Sequence, residues 1–339
     1  MRQIKKILII QIITFTGLIS FGQDLHFSQF YNSPLTTNPA NTGFIPDADY
    51  RIGVNYRNQW SSIISNPYKT ISAFADAQLF RDKLENGWVG LGAVLLSDKA
   101  GSGGLRSDKF YGSVAYHQML GLSSLLSAGF NLGYVSKRVD PSVLKFPDQF
   151  NGKFFDGTTT TGVQFTNLDI TYFDMQVGLN YAYFPKENIY INAGYSIQHV
   201  NKPKESFFGD NTEVGKIPIR QIGFVNAILK VNPRVIINPN IYFTTQARAI
   251  ELNGGINANY NLSEFGENQL IAGLYYRYKD AVIPTIGFET KGTAFTFSYD
   301  ATTSSLKTFN NYRGAAEFSI VKKGFYSGKN DRQTLCPKF

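Results

Sequence analysis

The 339-residue sequence holds one cysteine, Cys336, and three histidines, His26, His117 and His199. A single cysteine cannot close an internal disulfide, so size rather than a disulfide framework must supply stability. No histidine stands at a zinc-ligand spacing from another histidine or from the cysteine, so no local metal site is legible. Charge is scarce too: 17% of residues, against about 25% in ordinary proteins. A disordered chain would carry high charge and few aromatics, but this one has 28 Phe and 20 Tyr. Long apolar runs are missing. Only residues 7–21 (ILIIQIITFTGLISF) approach the roughly 20 residues of a membrane helix, which excludes a helical-bundle transporter. There is no heptad pattern, which excludes a coiled coil. The glycines of 90–104 (GLGAVLLSDKAGSGG) precede neither a helix pattern nor a Lys-Ser/Thr pair. They read as strand and loop rather than a phosphate cradle, and no cofactor signature appears.

What is present is a β composition, rich in Phe, Tyr, Gly, Asn and Thr. The net charge is +8, and Arg2, Lys5 and Lys6 supply three of those charges. The other basic residues are scattered, with no run that tracks a phosphate backbone, so nucleic acid is not an expected partner. Residues 1–22 read as a secretory signal peptide: a basic start, an apolar stretch, then Ser20-Phe21-Gly22 as a small-x-small cleavage pattern. Cleavage after Gly22 would make Gln23 the first residue.

From about residue 50 the chain alternates with period two. Residues 188–199 put Ile189, Ile191, Ala193, Tyr195 and Ile197 on one face, with Asn192, Ser196 and Gln198 on the other. Residues 253–262 and 293–300 repeat the pattern, with Asn or Ser/Thr facing away from Ile, Tyr and Phe. Side chains alternate across a strand, so each segment has one apolar and one polar face. A soluble sandwich and a membrane barrel both use such strands, with opposite faces inward.

Count, connections and aromatics separate the two. Fourteen strands are legible between 50 and 322, an even number, and most are longer than the usual ~5–6 residues. The first, third, fifth, seventh and thirteenth connections read as long (61–68, 98–106, 138–169, 200–216, 302–312), the second, fourth, sixth, eighth and twelfth as mostly short and the tenth as short, with the ninth and eleventh short against the pattern. Long loops on one rim and tight turns on the other are the mark of a barrel. Aromatics such as Tyr56, Trp60, Tyr181, Phe184, Tyr275, Tyr276 and Tyr278 gather at strand ends, as interfacial girdles do. The expected fold is all-β: a transmembrane antiparallel β-barrel of about fourteen strands in a bacterial outer membrane. The polar lumen suits water or a docked protein segment. The loop 138–169 could fold inward or stand outside.

No catalytic constellation is legible. His117 and His199, near strand ends, are the only candidate bases, and a lumen or rim histidine is the favoured reading, so an enzyme is not expected. More informative is residues 24–43, DLHFSQFYNSPLTTNPANTG, which lack a strand pattern. Pro34 and Pro39 force extended or turned backbone around themselves. Segment 23–49 is expected to plug the barrel of 50–322 or lie across its mouth on the periplasmic side. Residues 323–339 are expected as a periplasmic tail.

HFSQFYNSPLTTNPANTG followed by YRIGVNYRNQW at 50–60 resembles the opening of the PorP/SprF family of Bacteroidota outer-membrane proteins. The resemblance continues through ISAFADAQL (71–79), YFDMQVGLNYAY (172–183), YINAGYSIQHV (190–200), LNGGINANY (252–260), FSYDATTSSL (297–306) and GAAEFSI (314–320), and ends in CPKF (336–339). No single motif is specific; their order and spacing are. The resemblance implies an outer-membrane barrel that supports type IX secretion, with the export or surface attachment of secreted proteins such as gliding adhesins. It implies as partners type IX components in the periplasm or outer membrane, a secreted adhesin's C-terminal domain, and outer-membrane lipid. The family has no known catalytic residues to carry over. Candidate partner-binding residues are Phe27, Phe30, Tyr31, Pro34, Pro39, Cys336 and Phe339. The alternative expectation is a passive channel or transporter for small solutes.

Overall fold

The computed structural model describes residues 24–326, except 82, 102–103, 210–214 and 264–266. The expected signal peptide, and Cys336 and Phe339 of the tail, lie outside the described residues. The alternating segments form fourteen strands: β1 (Tyr50–Gln59), β2 (Tyr68–Leu79), β3 (Gly87–Ala100), β4 (Leu105–Met119), β5 (Ser124–Arg138), β6 (Asp169–Lys186), β7 (Ile189–Gln198), β8 (Arg220–Asn232), β9 (Val235–Gln246), β10 (Ala249–Asn261), β11 (Asn268–Arg277), β12 (Ala281–Thr290), β13 (Thr293–Thr302) and β14 (Arg313–Gly324). Each pairs antiparallel with its chain neighbours, and β1 pairs with β14. The sheet therefore closes, and no edge is left with unpaired backbone groups.

Burial runs opposite to that of a water-soluble protein. On β6, Phe173 and Leu179 are 61% and 56% exposed, while Asp174 and Asn180 are 0% and 1% exposed. The same inversion runs around the wall, with Leu95, Ile241 and Ile286 outward and Asn55, Asn131 and Ser298 inward. An apolar outside and a polar inside fit a wall whose outer solvent is lipid. Two of the expected girdle aromatics turn inward instead. Phe184 and Tyr275 are buried in the lumen, because alternation sends neighbours on one strand to opposite faces.

An even strand number brings both ends of the barrel to one rim, where Tyr50 lies opposite Gly324. That rim carries the even-numbered connections, including the tight turns at 187–188, 233–234 and 291–292. The opposite, long-loop rim carries 60–67, 139–168, 199–219 and 303–312. The third connection departs from expectation: it spans only 101–104, because β3 and β4 run on to Ala100 and from Leu105. Asp98, Lys99 and Arg106 are polar on both faces and so read as loop with the glycines between them. Here they extend the sheet beyond the apolar rows. The loop 139–168 stands outside the barrel and is largely exposed. β14 ends at Gly324, slightly past the expected 322.

The interior is filled by the chain's own start. Of residues 24–50, none is exposed. Three apolar clusters join this segment to the wall. Phe44 packs with Trp88, Leu125, Phe184 and Tyr190; Phe30 packs with Ile222, Tyr242, Tyr275 and Ile283; Leu35 packs with Phe74, Val94 and Tyr111.

Candidate functional site: the barrel lumen

Segment 24–49 threads the lumen from one rim to the other. At the long-loop end, Asp24 N–H donates to Gln246 Oε1 at the end of β9 (2.8 Å). At the short-turn end, Asp49 N–H donates to Gly324 O of β14 (2.9 Å). Its local shape follows from its prolines. Pro34 opens the helical turn Pro34–Thr37, and Pro39 opens the 3-10 turn Pro39–Asn41, the positions where a missing N–H costs nothing. Asn38 caps the second turn by accepting from Ala40 N–H at 2.9 Å.

The upper part is held by charge. Glu317 of β14 accepts from two successive backbone N–H groups, Ser28 and Gln29, both at 2.8 Å. Ser28 Oγ donates to Asp300 Oδ1 (2.8 Å) and accepts from Arg57 Nη1 (2.6 Å). Arg57 reaches Asp300 (2.8 Å) and Glu317 (3.0 Å), and Arg277 reaches Asp300 (2.9 Å) and Asp280 (2.8 Å). The register between β13 and β14 shifts between Tyr299 and Ala301. A bulge of this kind re-aims a side chain, and here Asp300 faces both arginines and Ser28. Charge-assisted bonds are the strong ones, but buried charges stabilise only while every partner is present.

A second cluster holds the segment's first residue. Asp24 pairs with Lys109 of β4 (2.7 Å) and His199, just beyond β7 (3.3 Å). His199 Nδ1 meets Asp174 at 2.9 Å, and Asp174 accepts from Tyr111 OH at 2.8 Å. Burial opposes a charged Asp24, but Lys109 and His199 outweigh it and hold its carboxyl well below the usual range. Burial likewise opposes a charged His199, and its bonds to Asp174 and Asp24 raise its pKa.

The middle is held by close approach. Gly129 of β5 and Gly178 of β6 lie directly opposite each other. A Cβ on Gly129 would sit 2.3 Å from Pro39 C, and one on Gly178 1.9 Å from Asn38 Oδ1. Glycine is the only residue that lets the turn at 38–40 lie this near the wall. Asn38 Nδ2 then donates to Leu179 O at 2.8 Å. Lower down, His117 Nε2 meets Thr42 O (2.8 Å), and Trp88 Nε1–H donates to Gly43 O (2.9 Å). The two rings stack at 4.8 Å.

Of the expected partner-binding residues, Phe27, Phe30, Tyr31, Pro34 and Pro39 all lie inside this thread. Phe30 stacks on Tyr242 at 5.0 Å and Tyr31 on Tyr275 at 5.3 Å. In this structure their partner is the wall. Sequence reasoning missed Arg57, Arg277, Asp300 and Glu317. The available signal was a charge at an inward position of an alternating strand, as in NYRNQ and AAEFS. Above the thread, the lumen opens into a vestibule of about 650 Å³ at the long-loop rim. Asp24, Leu25 and His26 line it together with Lys109, Lys137 and Glu205. Lys137 and Glu205 form an ion pair, and Tyr172 OH donates to Glu205 at 2.8 Å.

The family described as type IX secretion system membrane protein PorP/SprF matches residues 19–321. The chain belongs to this family. No curated protein matches it in sequence. Among solved structures, this PorP/SprF barrel is similar to the toluene transporter TodX of Pseudomonas putida. The TM-score is 0.53 and the identity 12%, over 87% of this chain and 94% of that one. It is also similar to the toluene transporter TbuX of Ralstonia pickettii, at TM-score 0.50 and 11% identity, over 86% and 94%. At such identities the likeness is one of fold, and it sets the PorP/SprF chain among outer-membrane barrels, in the outer membrane. Two of its histidines bond to the thread, His117 through Thr42 O and His199 through Asp24. His117 has Ser127 Oγ at 2.7 Å, but a backbone carbonyl rather than a carboxylate occupies its other nitrogen, and Ser127 is buried. His199 has carboxylates on both sides.

Proposed function

We propose that this PorP/SprF barrel is a non-catalytic component of type IX secretion that supports export or surface attachment of secreted proteins, such as gliding adhesins, by binding protein partners. The observation that carries this reading is the thread. A lumen filled from rim to rim by the chain's own residues 24–49 favours work at the two rims over passage through the middle. Exposed aromatics on the long loops, among them Phe154, Phe208 and Phe309, offer a surface for a secreted partner. Cys336 and Phe339, which lie outside the described residues, are proposed as a second contact for a periplasmic partner. Phe27, Phe30, Tyr31, Pro34 and Pro39 would then act by holding the barrel shut and rigid beneath the partner. Deleting the gene should abolish surface display of a particular secreted protein while other outer-membrane proteins stay normal. Unchanged display of every type IX substrate would sink the reading.

A second reading, a channel for small solutes, draws on the vestibule and on the transporters that share the fold. The vestibule lining of Lys109, Lys137, Glu205 and Asp24 suits polar solutes better than hydrocarbons. Stable conductance steps from the intact chain in planar bilayers would favour this reading, and silence the first.

A further inference from the structure

The extended ends of β2–β5 carry a row of outward cations. Lys69 lies opposite Lys99, Lys99 opposite Arg106, and Arg106 opposite Arg138. All four are exposed. Neighbouring strands stand only about 4.8 Å apart, and like charges directly opposite destabilise a sheet. The row stops where the four strands stop: at the same height β1 offers Asn58 and β6 offers Asp169. Two carboxylates partly offset it. Asp108, one outward position lower, meets Arg106 at 2.9 Å and Arg138 at 3.9 Å, and Asp169 meets Arg138 at 4.0 Å. Among the described residues no ion pair involves Lys69 or Lys99. The patch therefore stays cationic.

Directly below the row, on the same four strands, the outward surface hollows into a groove of about 340 Å³. Ile71, Leu95, Phe110 and Tyr134 wall it around Ala73, and Ser97 and Asp108 line the side toward the cations. The registers stack these levels in order. Lys69, Lys99 and Arg106 come first, Ile71, Ser97 and Asp108 next, then Ala73, Leu95 and Phe110. Each step is two residues, about 7 Å along a strand. Cations thus sit where the lipid-facing wall ends, with an apolar slot one to two steps deeper.

We propose that this face of β2–β5 binds a phosphorylated glycolipid of the outer leaflet, its phosphate on the cation row and an acyl chain in the groove. Charge complementarity selects the phosphate, and the apolar slot beneath selects a ligand that also carries a hydrocarbon chain. The inference rests on the outer-membrane placement, with the long loops outward, and stands whether or not the barrel serves secretion.

The test is to purify the full chain from its own membranes in a mild neutral detergent, wash it, and measure retained glycolipid by mass spectrometry and phosphate assay. The wild type should keep close to one phosphorylated glycolipid per barrel. Each surface cation contributes about fivefold to the attraction of an anionic lipid, so the Lys69→Gln/Lys99→Gln double variant should lose tenfold or more. Ala73→Trp, which fills the groove from the lipid side, should lose it as well. Heat-modifiable gel migration verifies that both variants still close. Wild-type retention in both variants would overturn the site. So would loss in the lysine variant alone, which would leave an electrostatic patch without an acyl slot. Full displacement of the lipid by millimolar inorganic phosphate, or a lipid-free barrel that pairs with a second copy or an acidic protein through this face, would also overturn it.

Discussion

Ser28 is a small residue with a large share of the interior's charge around it. Its hydroxyl sits between Asp300, Arg57 and Arg277, and its N–H on Glu317. Removing the hydroxyl takes its bonds to Asp300, Arg57 and Arg277 from a network whose charged members stay paired with one another, so Ser28→Ala should cost about 2 kcal/mol. Asp300→Ala leaves Arg57 and Arg277 facing each other without their shared carboxylate, and should cost about 3–5 kcal/mol. Denaturant midpoints of the refolded barrel would rank the two, and a smaller loss for Asp300→Ala would refute the account. Asp24 and His199 set a pH dependence. The pKa of His199 is raised in the folded state, so its hold on the segment is complete below its ordinary value of about 6.5 and fades as pH rises through the raised one. That of Asp24 is lowered, so its share is present above the usual carboxylate range and fades as pH falls through the lowered value. The labelling rate of Leu25→Cys in a Cys336→Ser background, divided by that of a free thiol at the same pH, should be lowest at mildly acidic to neutral pH and rise on both sides. His199→Gln should remove the acceleration on the alkaline side.

At the scale of elements, the strands were readable and the thread only half so. Period-two alternation marks a strand wherever one face meets lipid, which is why β6, β7 and β10 are legible from sequence. It fails at the ends of β3 and β4, where both faces meet water and Asp98, Lys99 and Arg106 no longer alternate with apolar residues. Segment 24–43 announced itself by Pro34, Pro39 and its aromatics as something other than strand. Its path did not, because what fixes it lies far along the chain: Gly178 is 140 residues from Asn38, and Glu317 is 289 from Ser28. Two changes should release it. Gly178→Val drives a branched side chain into Asn38, and deletion of 24–45 removes the thread outright. Both should give conductance steps in planar bilayers where the intact chain is silent. A deletion variant as silent as the parent would show that the thread is not what fills the lumen.

The whole molecule is a wall with two unlike rims, and the sequence carried that asymmetry in the parity of its loops. Three odd-numbered connections depart from that parity: the third, read as long but spanning only 101–104, and the ninth and eleventh, read as short and short in the structure. Which rim does what is a separate question with its own expected outcome. Trimming the exposed loop between Phe146 and Thr166 touches neither the apolar belt nor the thread. Membrane insertion and heat-modifiable migration should therefore stay normal while display of the secreted partner falls. Equal display would move the working surface to the short-turn rim.

The latch at Ser28 also imposes an order in time. Ser28 is made before any of the fourteen strands, and two of the carboxylates that hold it, Asp300 and Glu317, arrive with β13 and β14. A segment that precedes every strand is thus made fast by β13 and β14, and a barrel still short of those two holds a loose interior. The keystone of this structure is laid before its arch and locked after it.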